Sequence, residues 1–232
     1  ITAANLSALG GKTAGTVTVS NNINITGTSE AIATAVGNVD TFAGTPTATL
    51  GDVHTLAQLK TINNATSGTI TLNDYSVALN GSTADLKAAL AGSFASTYTG
   101  NLVLNDANGT DIAAADISTI AGATTGTVTV SNNINLTGTS AEIAAAVGNV
   151  DNFVGTLTAT LSNAHTLAEL KAINNAIDGT ITLNDVTVAL SGSSADVAAA
   201  LAGSFASAYT GNVTLTDTPT DAQLALIDAA TT

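Results

Sequence analysis

The stretch GTVTVSNNIN occupies Gly15–Asn24 and returns, letter for letter, at Gly126–Asn135. Shifting the chain by 111 residues aligns 15–106 with 126–217, and 68 of those 92 positions are identical. The match runs back to the start, where AANLSALGGKTAG from Ala3 aligns with AADISTIAGATTG from Ala114. A period of this kind decides the architecture before any single residue does. It divides the chain into a partial repeat at 1–14, a first copy at 15–125 and a second copy at 126–232.

Each copy carries a finer rhythm. A glycine opens a short run at Gly15, Gly44, Gly68 and Gly100, and again at Gly126, Gly155, Gly179 and Gly211. The runs TVTV, TPTATL, TITL and NLVL alternate polar with apolar, the mark of a strand with one buried face. Val17 and Val19 are expected to point inward, Thr16 and Thr18 outward. A Ser/Thr-x-x-acid signal follows at Thr139–Glu142, Thr166–Glu169, Ser193–Asp196 and Thr218–Asp221. That spacing predicts capping boxes, with Pro219 at the first helical position. Apolar residues then recur at helical spacing, as in Leu167, Leu170, Ile173 and Ile177, and helices are expected to stop near Gly148 and Gly203. A second β-like stretch, Ile23–Thr26 or Tyr75–Leu79, follows an Asn-Asn or Asn-Asp pair, which suggests a corner or a tight hairpin.

The expected fold is therefore α/β: a helix, then eight strand–helix units. Stacked in one direction they make a right-handed strand–helix solenoid, with a parallel sheet exposed on one face. The alternative is a β/α barrel, which also takes eight such units. Barrel strands are apolar on both faces, whereas these are Thr-rich on one, so the solenoid is the better fit. One coil is either one strand–helix unit or two. Both ends fall inside the rhythm, so a slice of a longer array is expected.

Composition narrows the function. Four Lys and Arg against 17 acids give a net charge of −13, which repels nucleic acid and anionic membranes. No cysteine is present, so thiolate metal sites and thiol nucleophiles are excluded. No apolar run is long enough to span a bilayer, and no signal peptide is visible. Charged residues are only 9%, so Thr, Ser and Asn make the polar surface.

Few residues invite chemistry. His54 and His165, one per copy, each stand just before a capping Thr without a second His or Cys nearby, and a structural place at a helix start is expected. Asp40/Asp151, Asp74/Asp185, Asp85/Asp196 and Asp106/Asp217 recur. Stacking would align Asp74, Asp106, Asp185 and Asp217 to bind calcium, but turn and cap chemistry explains them well. No G-x-S-x-G elbow and no phosphate-binding glycine loop occurs. The T-x-T pairs Thr16/Thr18, Thr47/Thr49, Thr69/Thr71, Thr127/Thr129, Thr158/Thr160 and Thr180/Thr182 promise a flat hydroxyl array of the kind that binds ice. Thr is also simply a strand former that tolerates water.

The GTVTV strands, the cap TGTSAEI at Thr137–Ile143 and the helix end ALIDAATT at Ala225–Thr232 resemble tandem repeats of giant cyanobacterial cell-surface proteins, some of them tied to swimming motility. The resemblance implies an extracellular, non-enzymatic segment of a very long protein, with no catalytic residues to carry over. The expected function is that of a structural segment in adhesion, surface-layer formation or motility. Its expected partners are neighbouring repeats and other cell-surface or matrix components, with no nucleic acid, no membrane insertion and no cofactor. The alternative is a module that binds ice, calcium or glycan through its Thr or Asp rows.

Overall fold

The computed structural model describes residues 1–231. The chain is an α/β protein, and every named strand pairing among the described residues is parallel. Nine helices are present among those residues: α1 Ala3–Gly10, α2 Ser29–Gly37, α3 Leu56–Ala65, α4 Thr83–Leu90, α5 Ala114–Gly122, α6 Ser140–Asn149, α7 Leu167–Ala176, α8 Ser194–Leu201 and α9 Asp221–Ala230. The chain falls into two compact units, Ile1–Asn105 with Ile120–Val128, and Asp106–Thr119 with Thr129–Thr232.

In the first unit, strands Asn24–Gly27, Thr47–Leu50 and Ile70–Thr71 form one ladder. Ile25 meets Ala48, and Ala48 meets Ile70. All three are buried. Thr26, Thr49 and Thr71 form the neighbouring row, on the other face of the pleat. Two shorter pairings stand apart from this ladder, Thr18–Val19 with Thr41–Phe42 and Leu79–Gly81 with Leu102–Leu104.

The second unit repeats the scheme with more strands. Its ladder runs Thr110–Ala113, Ile134–Gly138, Leu157–Leu161, Thr180–Thr182 and Ser204–Phe205, in chain order from one edge to the other. Ile112, Leu136, Ala159, Ile181 and Phe205 make a single inward row. Each large aliphatic side chain buried in such a row contributes about 1.5–3 kcal/mol. The shorter pairings here are Thr129–Val130 with Asn152–Phe153, and Leu190–Gly192 with Val213–Leu215.

A ladder partner lies 22 to 24 residues along the chain, one helix further on. Each strand–helix repeat therefore holds one helix, and many hold two short strands on separate ladders. The Asn-Asn pair at Asn21 and Asn22 turns the chain from one ladder to the other. It is a corner and not a hairpin, because Thr18–Val19 and Asn24–Gly27 pair with different strands.

Three of the four Ser/Thr-x-x-acid signals open a helix as expected. Thr139 with Glu142 and Thr166 with Glu169 form capping boxes, and Ser193 accepts the Asp196 N–H. The fourth expectation is corrected. The N-cap of α9 is Thr220, boxed by Gln223, so Pro219 lies before the cap and not at the first helical position. A side chain at Thr220 bonds the right N–H, whereas Thr218 stands too early to do so. Helix ends fall near the expected glycines: α6 ends at Asn149, one residue after Gly148, and α8 at Leu201, two residues before Gly203. Neither glycine is left-handed; the glycines with positive φ among the described residues are Gly27, Gly109 and Gly138. Gly203 also allows a close approach, since a Cβ there would sit 1.7 Å from Oδ1 of Asn174.

Candidate functional site

The two histidines are buried, each against a tyrosine 44 residues later. His54 Nε2 lies 3.3 Å from the Tyr98 hydroxyl, which donates to the Val77 carbonyl at 2.6 Å. His165 and Tyr209 repeat the arrangement at 3.1 Å, with Val188 accepting at 2.6 Å. A phenol has one proton, and the backbone carbonyl takes it, so the histidine must donate from Nε2. The other ring nitrogen, Nδ1, has no partner in either copy. Burial lowers the pKa of both histidines, partly opposed by Asp74 and Asp52 around His54 and by Asp185 and Glu169 around His165. Burial also raises both phenols, Tyr209 to about 12. Both pairs are thus neutral at pH 7 and shielded from solvent. Each ties a helix start to a tyrosine 44 residues later in the chain.

A glycine completes each lock. A Cβ at Gly211 would lie 2.0 Å from the Val188 oxygen, the same oxygen that Tyr209 bonds, and Gly100 stands in the same relation to Val77. The sequence carried a signal for the tyrosines that was not used. Tyr98 and Tyr209 persist in both copies, while Tyr75 is replaced by Val186.

Several aspartates join segments that lie more than 20 residues apart. Asp52 Oδ1 accepts the N–H of Ser29, the first residue of α2, at 2.6 Å and the Ser29 hydroxyl at 2.7 Å. Asp217 does the same for Ser194 at the start of α8, at 2.7 Å. Asn163 takes the role for Ser140 at the start of α6, at 2.8 Å. Each acceptor comes from 23 residues later and satisfies an N–H that the helix itself leaves free. The positive end of the helix dipole favours the anions there, and the Ser29 hydrogen bonds hold Asp52 below the usual carboxylate range. Asp40 accepts the Val17 N–H at 2.7 Å. Asp85 and Asp196 pair with Lys60 and Lys171 on the preceding helix. Asp74 and Asp185 close turns onto Ser76 and Thr187. The Asp106 backbone oxygen accepts from Asn132. Of the aspartates considered for calcium, Asp74 and Asp185 thus close turns and Asp217 holds a helix start, and the described residues contain no cluster of three or more His, Cys, Asp or Glu that could hold a metal.

The threonine array is divided. Thr18 and Thr129 belong to the short pairings, opposite Thr41 and Asn152. Thr47/Thr49 and Thr69/Thr71 lie on the main ladder of the first unit, and Thr158/Thr160 and Thr180/Thr182 on that of the second. Their hydroxyls are also engaged within the row. Asn135 accepts from Thr158 at 3.1 Å and donates to Asp111 at 2.8 Å. Asn24 accepts from Thr47 and Thr49, each at 3.2 Å. The outward face is a stitched polar seam of Asp, Asn and Thr, interrupted by Ala113 in register with Thr137.

Open grooves lie between neighbouring helices. The one along α7 and α8 is lined by Leu167, Ala168, Lys171, Ala172, Asn175 and Asp196. The Lys171–Asp196 pair crosses it. No helix among the described residues is long and apolar enough to cross a membrane. Comparison with protein-family models, curated proteins and solved structures returns no match.

Proposed function

We propose that this chain is a structural repeat segment of a large exported cell-surface protein, serving as a spacer in adhesion, surface-layer formation or motility, without catalysis. The finer fold that goes with it is a right-handed strand–helix solenoid, in which each coil shares its core with the next. The rule that parallel strand crossovers are right-handed supplies the hand, and the open chain-order ladder of the second unit favours it over a closed barrel.

The observation that carries the reading is where the recurring polar groups go. Asp52, Asp217, Lys60 and Lys171 each bond a neighbouring module, and His54 and His165 each bond a tyrosine one module further on. A repeat whose conspicuous side chains join it to the next repeat gains length by copying, and its stability is a sum of nearest-neighbour terms. An acidic chain without cysteine also suits an exported array, since it has no thiols to mispair.

The test uses whole cells. An antibody raised to this chain is used to blot cells treated with and without external protease. A very large band that disappears on shaving is the expected result. A small protected band near 22.6 kDa overturns the proposal.

A further inference from the structure

Among the places where the two copies differ is the turn after α3. Thr66 and Ser67 of the first copy stand where the second has Ile177 and Asp178. Asp178 has a task there, since its carboxylate accepts the Leu157 N–H at 2.7 Å. The residue in the place of Leu157 is Pro46, which has no N–H to offer. A carboxylate is therefore not needed at position 67, and the Ser67 hydroxyl bonds nothing among the described residues.

That turn borders a pocket of about 480 Å³ at the C-terminal ends of α2 and α3, within the first unit. Val39, Asp40, Phe42, Asn64, Thr66 and Ser67 line it. Thr41–Phe42 pairs with Thr18–Val19 on one side and α4 packs beyond α3 on the other, so the pocket lies within the stack and not at an end of the chain. Small-molecule sites run from about 300 to 1,000 Å³, and this one falls inside that range.

Its polar groups are uncommitted. The Asn64 amide, like the Ser67 hydroxyl, bonds nothing among the described residues. Asp40 gives Oδ2 to the Val17 N–H and leaves Oδ1 open. Asn64 can donate and accept, Ser67 can do both, and Asp40 accepts only. Phe42 adds a half-buried aromatic ring to the same wall.

Chemistry selects the ligand. No lysine lines the pocket, Asp40 is an anion, and the carbonyl ends of α2 and α3 add partial negative charge, so carboxylates and phosphates are repelled. A bare calcium ion wants six or more oxygens, and no cluster of three or more His, Cys, Asp or Glu exists among the described residues to supply them. A neutral ring with hydroxyls at its edge and C–H groups on its face meets both halves of the pocket. Its hydroxyls bond Asn64, Ser67 and Asp40, and its C–H face lies on the negative face of the Phe42 ring.

We propose that this pocket binds one neutral hexopyranose unit of a glycan, and that the second copy lacks the site because Ile177 and the committed Asp178 replace Thr66 and Ser67. The proposal needs only the fold, and it stands or falls apart from the spacer reading.

The test is a titration of the isotope-labelled 232-residue chain, followed by amide magnetic resonance, with the methyl glycosides of glucose, galactose and mannose as probes. Saturable shifts are expected with at least one probe, gathered at 36–42 and 64–67 and absent from 147–153 and 175–178. Asn64→Ala and Ser67→Ala are each expected to weaken binding about threefold to tenfold, the effect of one lost hydrogen bond, and the double variant to weaken it further. Asn175→Ala, at the counterpart of Asn64, is expected to change nothing. Asn64→Lys, which fills the pocket, replaces any alanine variant whose spectrum departs from the wild type elsewhere in the chain. No saturable shift with any probe, equal shifts at the two corners, or a double variant that binds as the wild type does overturns the site.

Discussion

The Tyr209 hydroxyl lies 3.1 Å from Nε2 of His165, and the two residues are 44 positions apart. The copy at Tyr98 and His54 has the same separation. A helix start in one module is therefore fixed by a side chain that arrives nearly two modules later. Several consequences are measurable.

Tyr209→Phe keeps the ring and removes the hydroxyl. The Nε2–H of His165 and the Val188 carbonyl then lose their partner in a buried site. An unsatisfied buried group costs about 1–3 kcal/mol. Denaturant unfolding should show a loss of about 2 kcal/mol, and an unchanged midpoint would mean that water reaches the pair.

Acid should weaken the fold in two stages. Burial holds His54 and His165 below the ordinary value of 6.5, so between that pH and their lowered values the unfolded chain binds protons that the folded chain does not. Their contribution is complete above pH 6.5 and is lost as pH falls through the lowered values. Asp52, Asp74, Asp85, Asp185 and Asp196 are held below 3.8, so a further loss begins beneath that pH. Unfolding midpoints measured from pH 8 to pH 3 should fall in both ranges. The double variant His54→Gln, His165→Gln should flatten only the upper one.

Capping across modules can be tested by exchange. Asp217→Ala strips the Ser194 N–H of its acceptor and should cost about 0.5–2 kcal/mol, the range for a lost cap. Asp52→Asn should cost little, because Asn163 already performs this task in the second copy. Equal effects of the two substitutions in thermal unfolding would show that charge, and not the hydrogen bond, matters here.

The assignment of faces predicts a large contrast. Leu170 is fully buried in the core of the second unit, and its replacement by Ala should cost about 2–5 kcal/mol. Thr129→Ala, on the open side of its strand, should stay within about 0.5 kcal/mol. Comparable losses in urea unfolding would mean that the faces are reversed.

Much of this was written locally. Alternation put Val17 and Val19 inward and Thr16 and Thr18 outward; the threonines are exposed and the valines half-buried, while their counterparts Val128 and Val130 are fully buried, and the box spacing found Thr139 and Thr166. Such signals depend on residues within one turn or one strand. Pairing was less legible. Gly-led runs look alike in sequence, yet Thr18–Val19 and Thr47–Leu50 lie on different ladders, because register is decided by which neighbour buries which row. The polar stitching was the least legible part. Asp52 reads as a turn residue, and only the stacking of modules brings it to the start of α2. The same holds for the His–Tyr locks, whose members are separated by a whole module.

The central claim is an open stack of modules held by neighbours. Deleting residues 211–232 removes the strand Val213–Leu215 and α9. Unfolding of the shortened chain, followed by circular dichroism in urea, tests the claim most directly. The account predicts a loss of helical signal limited to α9, with a cooperative transition of lower midpoint and smaller slope. Collapse of all helical signal would show that the fold closes on itself, and would contradict it.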